Sequence, residues 1–142
     1  MKRLLLIFFI SILIVGCSNV STEVKNSSKQ TITNFFEAIN SIEDYSSESE
    51  LNKLKVFFAT DSSITDSLIE YLTTFESDRQ NELVNYDFNI SEFKKLNGIY
   101  KVKVEYDIIS KADKSILDNS DMYIYLKDKD GKFKIETADC RG

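Results

Sequence analysis

Residues 97–108 read NGIYKVKVEYDI. Tyr100, Val102, Val104, Tyr106 and Ile108 alternate with Lys101, Lys103, Glu105 and Asp107. A period of two sends successive side chains to opposite faces of a strand, so the stretch predicts a strand with one buried face and one wet face. Asn97-Gly98, just before it, suits the positive backbone angles of a two-residue hairpin turn. A neighbouring antiparallel strand is therefore expected upstream, where Tyr86, Phe88 and Ile90 alternate with Asp87 and Asn89. Downstream, Met122, Ile124 and Leu126 alternate with Tyr123 and Tyr125. Asp130-Gly131 makes the next turn, and Phe133 and Ile135 alternate with Lys132, Lys134 and Glu136. Short turns predict an antiparallel meander. The polar, charged residues 110–120 are expected to be a long loop between strands.

Upstream of this run the period is 3.6. Ile32, Phe35, Phe36 and Ile39 give residues 29–42 one apolar helical face. Ser47-Glu48-Ser49-Glu50 has the form of a capping box, followed by the stripe Leu51, Leu54, Phe57 and Phe58. A third stripe, Leu68, Ile69, Leu72 and Phe75, follows Thr65 and Asp66, either of which can cap a helix. Helices followed by a run of strands predict an α+β fold, with N-terminal helices packed on a curved antiparallel sheet. Residues 29–142 form a single α+β domain in this reading.

The first residues carry an address. Lys2 and Arg3 precede an apolar run from Leu4 to Val15, interrupted only by Ser11. That is shorter than the about 20 apolar residues of a spanning helix, and suits a secretory signal. The run ends Ile14-Val15-Gly16-Cys17, which resembles the lipobox of bacterial lipoproteins. The resemblance implies a signal peptide over 1–16, cleavage between Gly16 and Cys17, and a lipid on the Cys17 thiol. The protein is then expected to be lipid-anchored on the extracytoplasmic face of the cell membrane, or at the outer membrane in a Gram-negative host. Residues 17–28, rich in Ser, Asn, Thr and Lys, are expected to be the lipidated cysteine and a flexible tether reaching roughly 18–20 Å.

The helical section followed by a meander closing on LKDKDGKFKIE, Leu126 to Glu136, resembles the nuclear-transport-factor-2-like superfamily, whose domains are cone-shaped. The cystatin-like fold, also a sheet wrapped on a helix, is the competitor. Three helical stripes favour the first. That superfamily includes enzymes, binding modules and secretion-system components, so the resemblance implies a fold and leaves the function open.

Composition narrows the chemistry. The chain has no histidine, so it has no imidazole base and no Ser-His-Asp or Cys-His site. With Cys17 lipidated, Cys140 has no partner cysteine in the chain, and no disulfide framework or structural zinc site is expected. The net charge of −5 becomes more negative once Lys2 and Arg3 leave with the signal, which argues against nucleic-acid binding. Asp128-Lys129-Asp130-Gly131 reads as a hairpin turn rather than a calcium loop, because Leu126 stands where such a loop needs an oxygen ligand and Thr137 where it needs a glutamate. No catalytic residue, metal or cofactor is expected.

Enzymes of the superfamily often use an Asp or Tyr inside the cone, which makes Tyr86, Asp87, Tyr106 and Asp107 the positions to inspect. Alternation puts the tyrosines and the aspartates on opposite faces. Tyr123 and Tyr125 lie opposite the apolar side of their strand and are the candidate partner-binding residues, because Tyr suits a surface with one dry and one wet end. Cys140 reads as an inert, partly covered thiol. The expected function is a non-catalytic adaptor that docks to another envelope protein, possible versions being an accessory of a secretion or conjugation system. The same surface would also serve a homodimer. The alternative is a small-ligand-binding domain or an acid–base enzyme with a deep hydrophobic pocket.

Overall fold

The structure is a computed structural model and describes residues 20–59, 63–74 and 82–141. The signal peptide, Gly16, Cys17 and Phe75 lie outside the described residues.

The first helix, α1, spans Thr22–Asn40. Ser21 caps it, accepting the Val24 N–H at 3.3 Å, and Glu23 sits in the first turn where the helix dipole favours an anion. Its apolar stripe of Ile32, Phe35, Phe36 and Ile39 is fully buried. The helix takes in residues 22–28, which corrects the expectation of a flexible tether there. The polar composition hid a cap at Ser21 and two inward positions: Ser28 is buried, and Val24 packs against the core. At the other end, the Lys111 ammonium donates to the carbonyls of Asn40 at 2.8 Å and Ile42 at 2.6 Å, placing a cation on the helix C-terminus.

A short helix α2, Glu48–Asn52, tightens into a 3-10 turn over Lys53–Phe57. Ser47 caps it as expected, accepting the Glu50 N–H at 3.4 Å. The reciprocal half of the capping box is absent: Glu50 accepts instead from the N–H groups of Glu43 at 3.0 Å and Asp44 at 3.2 Å, tying down the preceding turn. Helix α3, Ser63–Thr73, starts ahead of both expected caps, so Thr65 lies within it and is buried beside Leu68, Ile69 and Leu72.

Four strands follow: β1 Val84–Leu96, β2 Ile99–Ser110, β3 Ile116–Lys129 and β4 Lys132–Arg141. They pair antiparallel in the order β1-β2-β3-β4. Asn97-Gly98 and Asp130-Gly131 take the left-handed angles that a two-residue hairpin turn demands (φ 49 and 81, 55 and 79). At the second turn, Asp128 accepts the Gly131 N–H at 2.8 Å. The expected loop over 110–120 shrinks to a turn at 111–115. The Ser110 hydroxyl accepts the amides of Ala112 and Asp113, and the Asp113 carboxylate accepts that of Ser115. A register shift beside Ile108/Ile109 breaks the alternation at the start of β3, and that break concealed the strand. Further shifts at Ser91/Phe93 and Tyr125/Leu126 bend the sheet around α1.

The inner face of the sheet presents Tyr86, Val102, Val104, Tyr106, Met122, Ile124, Leu126 and Ile135 to α1, all buried. Polar side chains cover the start of the free edge of β1. The Asn40 amide donates to the Tyr86 carbonyl at 2.9 Å and accepts the Tyr86 N–H at 2.7 Å. The Tyr45 hydroxyl does the same for Val84 at 3.4 and 3.3 Å.

Two losses test this account. Asn40→Ala strips both partners from a strand edge and is expected to cost about 2–3 kcal/mol. Phe36→Ala empties the centre of the core and is expected to cost about 3–5 kcal/mol. Urea unfolding followed by circular dichroism measures both; a negligible change at Asn40 would mean that water replaces its amide.

Candidate functional site

A cleft of about 1050 Å³ opens between α3 and the end of the sheet where β2 meets the start of β3. One wall is a single helical face, Ser67, Glu70, Tyr71 and Thr74, set by the i, i+3, i+4 spacing. The opposite wall comes from Tyr86, Tyr106, Ile108 and residues 118–121. The opposite side of α3 carries Leu68, Ile69 and Leu72 into the core, which fixes the first wall in place.

The floor is phenolic. The Tyr86 hydroxyl donates to the Leu72 carbonyl at 2.6 Å, satisfying a group in the last turn of α3. Tyr106 meets Tyr86 edge-on, with ring centroids 5.5 Å apart. Burial pushes the Tyr86 phenol far above its ordinary range, and the neighbouring phenols of Tyr45 and Tyr106 add to this. Burial, then a hydrogen bond with Tyr71, raises Tyr106 as well, while a hydrogen bond with Ser120 works the other way. Both rings therefore stay neutral: they present aromatic faces, not phenolate bases.

The rim is acidic. Glu70, Glu105, Asp107, Asp118 and Asp121 line the cleft, and among the described residues no lysine or arginine does. Glu105 is also tied to Lys103 at 2.8 Å, and that contact holds its carboxyl below the usual range. Among the described residues no group of three or more His, Cys, Asp or Glu side chains is placed to hold a metal ion.

The sequence candidates divide between this cleft and the far side of the sheet. Tyr86 and Tyr106 floor the cleft. Asp87 is exposed and lies opposite Asp107 in the β1–β2 register, so it does not join the phenols; Asp107 reaches only the rim. Tyr123 and Tyr125 sit half-buried on the face turned away from the helices. The Lys101 ammonium lies over them, 3.9 Å from the Tyr123 ring centroid and 5.6 Å from that of Tyr125. Cys140 is half-buried beside the core, and burial pushes its thiol up, away from the reactive thiolate. Sequence reasoning missed Ser67, Glu70, Tyr71 and 118–121. The first three have the polar character of a helix's wet face, and 118–120 fall within the stretch expected to be a loop.

A scan of protein-family models finds no match, and neither does a search of curated proteins. Solved structures do match. An NTF-2-like protein of unknown function from Shewanella oneidensis MR-1 shares 14% identity, with a TM-score of 0.56 over 82% of this chain and 97% of that one. A designed NTF2-like protein shares 13% identity, with a TM-score of 0.51 over 82% of this chain and 99% of that one. The fold is therefore nuclear-transport-factor-2-like, and the cystatin-like alternative falls away. Identity at this level speaks to fold alone.

The phenols set a pH limit. A group held neutral in the folded state and free to ionise when unfolded contributes stability below the unfolded pKa, and loses it as pH rises above about 10. Alkaline titration by ultraviolet absorbance is expected to show Tyr86 and Tyr106 ionising only with unfolding. Tyr86→Phe and Tyr106→Phe should each remove one late-titrating phenol. Tyr86→Phe, which also orphans the Leu72 carbonyl, should cost about 1 kcal/mol.

Proposed function

We propose that this nuclear-transport-factor-2-like chain is a non-catalytic binding domain, anchored through a lipid on Cys17 to the extracytoplasmic side of a bacterial membrane, and that it receives its partner in the cleft between α3 and β2–β3. The observation that carries the reading is the open, tyrosine-floored cleft itself. It is large enough for a peptide or a small molecule, it is walled by rigid elements, and its buried phenols stay neutral and line it with aromatic rings rather than with bases. An acid–base enzyme would need a carboxylate sunk among those rings. Asp87 is on the wrong face, and Glu70 and Asp118 are exposed.

The address supports a partner in the cell envelope. Ile14-Val15-Gly16-Cys17 follows a basic start and a short apolar run, and among the described residues no helix is long and apolar enough to cross a membrane. With α1 beginning at Thr22, only residues 18–21 separate a lipid on Cys17 from the first residue of the helix. Fully extended they reach about 14 Å, so the domain would work close to the bilayer. An acidic domain at that distance is repelled by anionic lipid headgroups, which favours a protein partner over the membrane surface.

A second docking face has one specific observation behind it. Among the described residues no helix covers the outer side of the sheet, which carries Tyr123 and Tyr125 under Lys101. A partner or a second copy of the chain could stack there.

Two experiments test these readings. Cys17→Ser is expected to abolish incorporation of labelled palmitate and to move the protein out of the membrane fraction; continued membrane association without label would sink the anchor. Crosslinking in intact cells, followed by mass spectrometry, is expected to capture an envelope protein. Ser67→Trp, which fills the cleft from an exposed position on α3, should abolish that capture, whereas Tyr123→Ala with Tyr125→Ala should spare it. The reverse pattern would move the docking site to the outer face.

A further inference from the structure

The outer face of the two central strands is sorted by charge. From the Asn97-Gly98 turn onward, β2 carries Lys101, Lys103, Glu105 and Asp107 on that face. From the same end, β3 carries Lys127, Tyr125, Tyr123 and Asp121. Lysines therefore occupy one half and carboxylates the other, with Tyr123 in the dividing row, opposite Lys103. Lys103 is matched within the chain, to Glu105 at 2.8 Å and Asp121 at 3.9 Å. On β1, Lys94 and Asp87 repeat the order, although Glu92 already meets Lys94 at 3.6 Å. The edge strand β4 does not follow it: Arg141 lies opposite Asp121, Asp139 lies opposite Tyr123, and Lys134 turns to the Val56 carbonyl.

Such a face complements itself in one orientation. Two copies stacked face to face are related by a two-fold axis lying between the sheets. An axis along the strands would set lysines on lysines and carboxylates on carboxylates. An axis across the strands reverses their direction, so each lysine half covers an acidic half and the Tyr123 rows meet; charge selects this arrangement. The same axis keeps β4 of both copies on one side. The first helix runs from β4 toward β1, with Thr31 on the Phe133 carbonyl and Asn40 on Tyr86. Both helices are therefore entered from the β4 side, as two chains anchored in one bilayer require.

We propose that the outer face pairs with a second copy of this chain, the two sheets stacked with their strands reversed, so that Lys101 and Lys127 of each copy lie over Glu105, Asp107 and Asp121 of the other. The pairing gives the second docking face one occupant, and it rests on that face rather than on the cleft. Four strands at about 4.8 Å and a span from Ile99 to Asp107 at about 3.3 Å per residue give roughly 500 Å² per copy. A buried total on the order of 1,000 Å² is at the lower bound for a stable interface, so the dimer is reversible.

The test is sedimentation velocity of the full-length protein in detergent, with micelles in large excess over protein. The native chain is expected to form a dimer that dissociates on dilution and on adding salt, which screens exposed charges. Lys101→Glu with Lys127→Glu, and separately Asp107→Lys with Asp121→Lys, should each weaken self-association by at least about tenfold, because each sets like charges face to face. Equal amounts of the two variants, mixed, should dimerise again: the altered halves are opposite in sign, and the other end of the interface keeps its native charges. A variant that merely misfolds gains nothing from mixing. A native chain that stays monomeric, or a dimer that both variants leave intact, would overturn the pairing. If the native chain is monomeric and the lysine variant loses its envelope-protein crosslink in cells, the face belongs to another protein and the second copy is wrong.

Discussion

The Phe36 ring is where the helical layer and the sheet meet. Its centroid lies 4.8 Å from Phe88 in a stacked arrangement, 5.7 Å from Tyr86, 6.3 Å from Tyr106 and 5.6 Å from Phe35. Four rings around a fifth give both apolar burial and preferred edge and offset geometries, each such pair adding about 0.5–1.5 kcal/mol beyond area alone. The position of this cluster sets the curvature the sheet must adopt, because β1 and β2 have to bend to bring Phe88 and Tyr106 to the same side chain of α1. It also holds Tyr86 and Tyr106 with their hydroxyls turned toward α3, where they become the floor of the cleft. Core and candidate site are thus two ends of one aromatic cluster.

Backbone polar groups impose the second constraint. A four-stranded open sheet has two edges, and every buried N–H or carbonyl on them needs a partner. The fold meets this with side chains drawn from far along the sequence: Asn40 on Tyr86, Tyr45 on Val84, Thr31 on Phe133. These contacts join the helical half to the strands as firmly as the apolar packing does, and they specify orientation, which apolar packing does poorly.

Much of the architecture was legible in the sequence because it rests on local rules. The alternation through Tyr100–Ile108, the turns at Asn97-Gly98 and Asp130-Gly131, and the stripes at Ile32–Ile39 and Leu68–Leu72 each report a backbone period or a backbone angle, and neither depends on distant residues. Two stretches misled for identifiable reasons. Residues 22–28 have the composition of a linker, yet the Ser21 cap and the inward Val24 and Ser28 make them helix. Residues 110–120 are polar, and a register shift breaks their alternation, so half of them were hidden strand.

The sequence by itself determined the order and kind of the elements, the faces on which Tyr123 and Tyr125 and the core residues lie, and the absence of imidazole chemistry. Each follows from residue type and spacing along one segment. Only the tertiary structure decided where a binding site can be. Tyr71 on α3, Tyr106 on β2 and Asp118 on β3 carry no mutual signal in the chain; they come together because the aromatic cluster under α1 bends the sheet toward α3. A cleft is a gap left between packed elements, and its shape depends on how they are set against one another, which no single element's periodicity records.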